Sequence, residues 1–451
     1  MTSKDDLERL DAIEKTLLNR WPETRIAPTL DRIAALADVL GSPQLSYPTI
    51  HIAGTNGKTT TTRLIDSLCF ELGMRTGRFT SPHLESFLER ISINGEPISA
   101  EGMIATYNDI ALYLDLIDSK MPNKLSFFEA MCALSFVAFA EFPVDVGIFE
   151  CGMGGEWDST NVINAAVSVI TPIGFDHMEY LGDTLEKIAT TKSGIIKEGS
   201  FAILARQEAD VAQVLTHKCA QVDATPIREG IEYSVKSRAL AIGGQLVSIA
   251  GVYGEYNDLF LPLHGAHQAA NAATAIAAVE VFAGESKLDE DVVRAALVNA
   301  TSPGRCEIVM RNPTVIIDAA HNPHGATSLK RTLSEEFDFD AIIGVVAPMG
   351  DKDVSGILEE LEGVISRVIV SQNSSHRAAQ IDELFDSARE IFGADRVQKS
   401  ETLTSAISMA IEQVKLENAV QDSNVAVVIA GSVVTAGEAR AIVRKIKESR
   451  K

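Results

Sequence analysis

Apolar and polar positions change period repeatedly along the chain, and the first sharp change falls at residues 49–73. Residues 49–52 are β-prone. A turn carrying Gly54, Gly57, Lys58, Thr59 and Thr60 follows, and then Leu64, Ile65, Leu68 and Leu72 recur at helical spacing before Gly73. The pattern predicts a strand, a loop and a helix over 61–72 with one face packed on a sheet and a glycine stop. Helices are also expected over 5–19 and 29–40, parted by a turn at Trp21-Pro22 and closed by Gly41-Ser42-Pro43. Residues 144–150 and 167–171 read as buried strands. Ser126 and Glu129 have capping-box spacing and open a helix to about Glu141; Asp183 and Glu186 have the same spacing and open one that ends near Gly194. From Phe201 to Leu263 strands and turns alternate, and at His267 an alanine-rich helix begins.

Ser302-Pro303-Gly304-Arg305 reads as a hinge, after which the pattern restarts. Strands over 314–318, 341–347, 368–371 and 425–430 alternate with helices beginning at Gly325, Val354, Ile381 and Thr435. Such alternation predicts a parallel α/β domain. The expected fold is therefore α/β: a P-loop NTPase-like N-terminal domain over 1–302 and a smaller Rossmann-like C-terminal α/β domain over 303–451. The second domain lacks a GxGxxG, so it carries no dinucleotide signature.

Composition narrows the partners. A chain of 451 residues with 46% hydrophobic content can build more than one core, and a net charge of -22 argues against general binding to nucleic acid or anionic membrane. An anionic ligand then needs a local basic pocket. The five cysteines are scattered, odd in number and without a CxxC pair, which fits reduced thiols. Residues 1–10 are charged rather than hydrophobic, so no secretory signal is visible, and the apolar run 130–140 is too short to span a bilayer. A cytoplasmic protein is expected, and a monomer is plausible.

The chemistry begins at Gly54-Thr55-Asn56-Gly57-Lys58-Thr59-Thr60. The two glycines let the main chain approach an anion, the first helical amides point at it, Lys58 reaches outer phosphates, and the Thr59 hydroxyl suits a magnesium ion. One departure stands out: the general P-loop pattern has glycine where this chain has Ile52. Glu150 ends a strand beside the glycine-rich turn Cys151 to Gly155, a position that suits a metal carboxylate. Other residues read two ways. Ser81 before Pro82 is either aimed at a ligand or part of a surface turn. Phe127 and Phe128 are either core or a face for a flat aromatic ligand, and Ser126 is explained by capping alone. His177 is a metal ligand or a loop histidine, Lys192 a functional cation or a partner for its helix dipole, and Asn271 an adenine contact or a polar residue in a core helix. Asp318 to His324 form a polar cluster at a strand's carboxyl end.

Together these pieces resemble the folylpolyglutamate synthase/dihydrofolate synthase branch of the Mur ligase superfamily. The resemblance rests on the loop Gly54 to Thr60, on Ser81-Pro82-His83-Leu84, Phe127-Phe128-Glu129, and Glu150 to Gly155 with Trp157-Asp158-Ser159-Thr160-Asn161. It continues through Asp176-His177, Lys192 to Lys197, Pro303-Gly304-Arg305 and Asp318 to Gly325. It accounts for the missing glycine at Ile52, because that branch has a shortened P-loop.

The resemblance implies an ATP-dependent amide ligase that joins L-glutamate to a pteroate or folate carboxylate through an acyl phosphate. It makes Thr59, Ser81, Glu150 and His177 ligands or neighbours of two Mg2+ sites, and Lys192 a carbamylated lysine. It makes Asn271, Arg305, Asp318 and His321 ATP contacts, with Lys58, Lys192 and His321 catalytic. Ser126 to Phe128 and Trp157 to Ser159 become the pteroate pocket. Domain closure about Pro303-Gly304 is expected before chemistry. The family commonly carries arginine where this chain has Glu156. A Mur-type ligase of uridine-nucleotide peptides and a non-ligating P-loop NTPase are the competing readings.

Overall fold

The computed structural model describes residues 4–21, 28–421 and 423–449. Contacts divide the chain into two compact units. One comprises Met1–Ala239, Leu246–Pro262 and Gln268–Thr301; the other comprises Leu240–Gln245, Leu263–His267 and Ser302–Lys451.

The first unit is built on an eight-stranded sheet. From edge to edge it runs Glu96–Pro97, Ile91–Ile93, Thr76–Phe79, Val146–Glu150, Thr49–Ala53, Val167–Ile170, Phe201–Leu204 and Thr225–Arg228. The last six are mutually parallel, and the first two pair antiparallel. The three central strands are buried along their whole length, which is why they read as apolar runs rather than alternations. Thr49–Ala53 lies between Val146–Glu150 and Val167–Ile170, with Ile52 level with Glu150 and Ala53 level with Ile170. Three carboxyl ends therefore finish at one height, where open α/β sheets place ligands.

Helix Lys58–Glu71 follows the central strand and buries Leu64, Ile65, Leu68 and Cys69. It begins three residues earlier than its periodicity predicted, because Gly57 adopts a left-handed cap with φ 88 and lets the helix start at Lys58. On the neighbouring strand, Arg78 donates to Asp66 of this helix in a buried ion pair and also to Ser92 Oγ at 2.7 Å. The helix is thereby locked to the sheet by charge as well as by its apolar face. The N-terminal helices Lys4–Leu18 and Asp31–Val39 contribute Ile13, Leu17, Ile33 and Leu36 to a core shared with Phe127–Glu141. Trp21 is described, but Pro22 of the expected turn lies outside the described residues.

Residues 201–263 are not strands and turns alone, for Ala209–Gln221 is a helix that buries Val211, Leu215 and Cys219 on one face. The helix carrying Lys192, Leu185–Ser193, is capped by Thr184, whose side chain accepts from Lys187 N; Asp183 instead pairs with Lys187 Nζ at 2.7 Å. The capping-box reading of Asp183 and Glu186 is thus one residue out of register.

The second unit holds a six-stranded sheet in the order Glu307–Arg311, Thr314–Ile317, Val425–Ala430, Ala341–Val346, Arg367–Val370 and Val397–Lys399. All neighbours are parallel except the first pair, so the expected parallel sheet carries one antiparallel edge strand. The 19-residue helix Leu403–Gln421 was not foreseen, although Ala406, Ile407, Ala410, Ile411 and Val414 are buried at helical spacing. Ser302–Arg305 is a closed turn: Arg305 N donates to Ser302 O at 3.1 Å, and Ala319 N donates to Gly304 O at 2.8 Å.

Candidate functional site

The loop Gly54–Gly57 is shaped by its neighbours. Gly54 has φ 146, and a Cβ there would stand 1.9 Å from Thr171 Oγ1, so no other residue fits without moving the adjacent strand end. The amides of Thr55 and Asn56 donate to Pro172 O at 3.0 and 3.3 Å, while Thr55 Oγ1 donates to Gly174 O at 3.0 Å. The outer part of the loop is thus tied to the segment after Val167–Ile170. At Gly57 no side chain caps the helix, and a helix start of this kind suits an external anion. A Cβ on Gly57 would lie 2.7 Å from Asn271 Oδ1, so Asn271 stands against the loop; its Nδ2 donates to Gln268 Oε1 at 3.0 Å.

Two lysines converge on one carbonyl. Lys58 Nζ donates to Gly54 O at 3.1 Å and to Thr55 O at 3.2 Å, and Lys192 Nζ reaches the same Gly54 O at 2.8 Å. Lys192 is therefore not a dipole partner at its own helix end; it crosses to the loop Gly54–Gly57. Its burial, with the Lys58 charge beside it, pushes its pKa down to about 7. A neutral amine population at physiological pH follows.

On the other side of the helix start, Thr59 Oγ1 donates to Glu150 Oε1 at 2.7 Å. A buried carboxylate and a hydroxyl fit Mg2+, which is commonly held by one or two carboxylates with substrate phosphates and water completing the shell. Among the described residues no group of three or more His, Cys, Asp or Glu side chains is arranged to hold a metal. His177 lies at the start of Met178–Leu181 with φ 49, its Nε2 3.7 Å from Asp176 Oδ2. Ser81 is buried and joined to Pro82 by a cis peptide.

The candidate substrate residues separate. Ser126 and Glu129 form a true capping box, and Phe127 is core, with Arg90 stacked 4.9 Å from its ring centroid. Phe128 is only partly buried and faces the glycine-rich turn, since a Cβ on Gly152 would meet its ring at 2.6 Å. Trp157 is also partly buried and lies by Gly154. Asp158 is buried and caps the turn Ser159–Val162, accepting from Met153 N and Thr160 N at 2.8 and 3.0 Å. Burial raises its pKa. Ser159 is buried beside it, and Glu156 in the family's arginine position is exposed, its amide bound to Thr191 O.

A network beneath this turn escaped the sequence reading. His51 Nε2 lies 2.7 Å from Thr160 Oγ1 and 3.1 Å from Cys151 Sγ, and Thr160 Oγ1 donates to Asp158 Oδ1. Burial drives the histidine down to about 3 and the Cys151 thiol well above its ordinary value, so both stay neutral and the thiol is inert. They brace the turn after Glu150. The only signal was a histidine within an apolar strand. All five cysteines are free and buried.

In the second unit, Asp318 follows the strand Thr314–Ile317 and accepts from Cys306 N and Ala320 N, both at 2.7 Å. Burial raises its pKa, and Arg305 beside it opposes that shift. His321 Nδ1 lies 2.9 Å from Ala319 O, and Asn322 caps helix Pro323–Glu336. Arg305, Asp318 and His321 thus come together at one strand end. Among the described residues no helix is long and apolar enough to cross a membrane.

Comparisons with known proteins give the family. Residues 52–279 match the Mur ligase middle domain, and residues 304–433 match the Mur ligase glutamate ligase domain. The chain is 49% identical to the dihydrofolate synthase/folylpolyglutamate synthase of Mycobacterium tuberculosis, over 97% of this chain and 94% of that protein. It is 37% identical to the Bacillus subtilis protein of the same name, over 80% of this chain and 85% of that one. Among solved structures, the M. tuberculosis folylpolyglutamate synthase complexed with ADP superposes with a TM-score of 0.93, covering 97% of this chain and 98% of that chain. Escherichia coli FolC in complex with DHPP and ADP superposes with a TM-score of 0.84 at 27% identity, covering 97% and 98%. The chain belongs to the Mur ligase family, in its folylpolyglutamate synthase/dihydrofolate synthase branch.

Proposed function

We propose that this protein is an ATP-dependent ligase that adds L-glutamate to the carboxylate of dihydropteroate, of reduced folates, or of both, releasing ADP and phosphate. The observation that carries the reading is the meeting of Lys58 and Lys192 on Gly54 O beside the Thr59–Glu150 pair, in a chain so close to named enzymes of this activity.

The helix amides after Gly57 and the ammonium of Lys58 bind the ATP phosphates, Lys58 leaving the loop carbonyls for the phosphate oxygens. An oxygen of the acceptor carboxylate attacks the γ-phosphorus, and the bond to ADP breaks, giving an acyl phosphate. The neutral amine of glutamate then attacks the acyl carbon, the amide forms, phosphate leaves and the amine proton is lost to solvent. Thr59 and Glu150 are the residues that would hold Mg2+, with Ser81 and His177 proposed as further ligands; the ion would supply charge neutralisation at the transferring phosphoryl group. Lys192, as a neutral amine, would add CO2 and release a proton, becoming an anionic carbamate that no longer repels Lys58. Phe128 and Trp157 are proposed to face the pterin, with Phe127, Asp158 and Ser159 supporting them. Asn271, and Arg305, Asp318 and His321 of the second unit, are proposed to hold ATP. We place the enzyme in the cytoplasm as a monomer acting on small molecules.

The test is ADP release by the full chain offered ATP, Mg2+, glutamate and either dihydropteroate, a reduced folate or a uridine-nucleotide peptide. Release that needs glutamate and a pteroate-type acceptor is expected. Turnover only with the peptide, or hydrolysis indifferent to glutamate, would reject the reading.

A further inference from the structure

Arg63 lies four residues after Thr59 on helix Lys58–Glu71, so the two share a helix face. The charges it faces come from four elements: Asp66 on its own helix, Arg78 on strand Thr76–Phe79, Glu89 in the turn Phe87–Arg90, and Glu150 at the end of its strand. Each of the three carboxylates already accepts a hydrogen bond from another group, although Asp66 Oδ1 keeps no partner. Asp66 accepts from Arg78 Nη1. Glu89 accepts the amides of Leu84, Glu85 and Ser86 at 2.9, 3.1 and 3.0 Å. Glu150 accepts from Thr59 at 2.7 Å.

Arg63 itself takes part in no hydrogen bond or ion pair among the described residues. Its guanidinium is only partly exposed, and burial with Arg78 nearby lowers its pKa to about 10, which leaves it charged at neutral pH. A cation with five N–H donors, withdrawn from water and given no acceptor, is costly unless a ligand supplies one. The fork of an arginine suits two oxygens of one oxyanion.

We infer that Arg63 is a substrate-binding residue of this site and that it holds the carboxylate of the acceptor. This rests on the ligase reading above. Phosphates dock at the helix start; Arg63 lies about one helical turn, roughly 5 Å, deeper in the helix than Thr59, and because helical side chains lean toward the N-terminus its long side chain runs back along the face of Thr59, on the flank of the phosphate site. The attacking carboxylate must lie in line with the γ-phosphate and past it. Arg63 therefore meets the group that attacks, and the tail of ATP is held elsewhere. Nothing in the sequence pattern singles it out, because the charges around it come from elements far apart in the chain.

The experiment measures dihydropteroate binding to wild type, Arg63→Gln and Arg63→Lys in the presence of ADP, with and without Mg2+, alongside initial rates for each substrate. Arg63→Gln should weaken dihydropteroate binding and raise its KM by about 10- to 100-fold, the loss of a charged two-oxygen contact, while the KM for ATP stays within about twofold. Arg63→Lys should recover part of the binding, and the methyl ester of dihydropteroate should bind all three proteins alike. A rise in the KM for ATP alone, unchanged acceptor binding in Arg63→Gln, or equal sensitivity of acid and ester overturns the inference. If Arg63→Gln does not fold, Arg63→Lys decides by the same comparison of acid with ester. Wild type that binds dihydropteroate but forms no ADP with it or with a reduced folate would defeat the ligase reading while the binding data still judge Arg63; wild type that binds neither acceptor defeats both.

Discussion

Lys58→Ala is expected to reduce ADP formation by about 10^2- to 10^3-fold, the scale on which removal of a single preorganised charge-stabilising donor acts in a transition state. The substitution removes the only side chain of the loop whose ammonium can follow the phosphoryl group. It leaves intact the positive φ of Gly54 and Gly57 and the amide bonds to Pro172, so the loop keeps its form. Acceptor binding should therefore persist at near wild-type affinity while turnover collapses. Retained turnover would remove Lys58 from the chemistry. Lost acceptor binding would mean that the loop, rather than the charge, had failed.

The second large effect is expected at Lys192. Its amine is 2.8 Å from Gly54 O and shares that carbonyl with Lys58, so its charge state decides whether the loop holds one cation or two. Lys192→Met should lower kcat by about 10- to 100-fold, the usual range for a residue that supports a metal or phosphate site from behind. In wild type stripped of CO2, activity should fall and return on adding bicarbonate. The recovery should grow as pH rises through about 7, where the neutral amine becomes abundant. Stability carries an independent signature. The folded pKa lies near 7 and the unfolded value near 10.5, so between them the unfolded chain binds more protons and stability rises with pH. Urea titrations in CO2-free buffer should show that rise in wild type, and Lys192→Met should flatten it. A wild-type rise no steeper than the variant's, with no bicarbonate effect, would leave Lys192 a structural lysine.

The α/β class, the restart of the pattern beyond Ser302 and the strand ends at Glu150 and Asp318 were legible because buried parallel strands are short apolar runs bounded by glycine and polar turns. Ala209–Gln221 and Leu403–Gln421 were missed although their buried residues recur at helical spacing among good helix formers, so that much more was legible than was read. The antiparallel edge Glu307–Arg311 depends on pairing, which periodicity does not encode. At the site, Lys192 is singled out only by the family resemblance, whereas Gly54 to Thr59 and Glu150 could be nominated from residue type and position. What each touches could not. The capping of Phe127–Glu141 accounts for Ser126, the core accounts for Phe127, and the hydrogen bonds of Asp158 show it as a brace for the turn. Conversely, His51 and Arg63 look unremarkable in sequence, and only the partners around them, or the lack of one, give them a role.

The proposed route passes through an acyl phosphate, and following one carboxylate oxygen shows whether it does. Dihydropteroate labelled with heavy oxygen in its carboxylate is turned over with ATP and glutamate, and the released phosphate is analysed by mass spectrometry. Attack of the carboxylate on the γ-phosphorus predicts one heavy oxygen in each phosphate, matched by one ADP and one amide formed. Phosphate without label, alongside amide formation, would rule out the acyl phosphate.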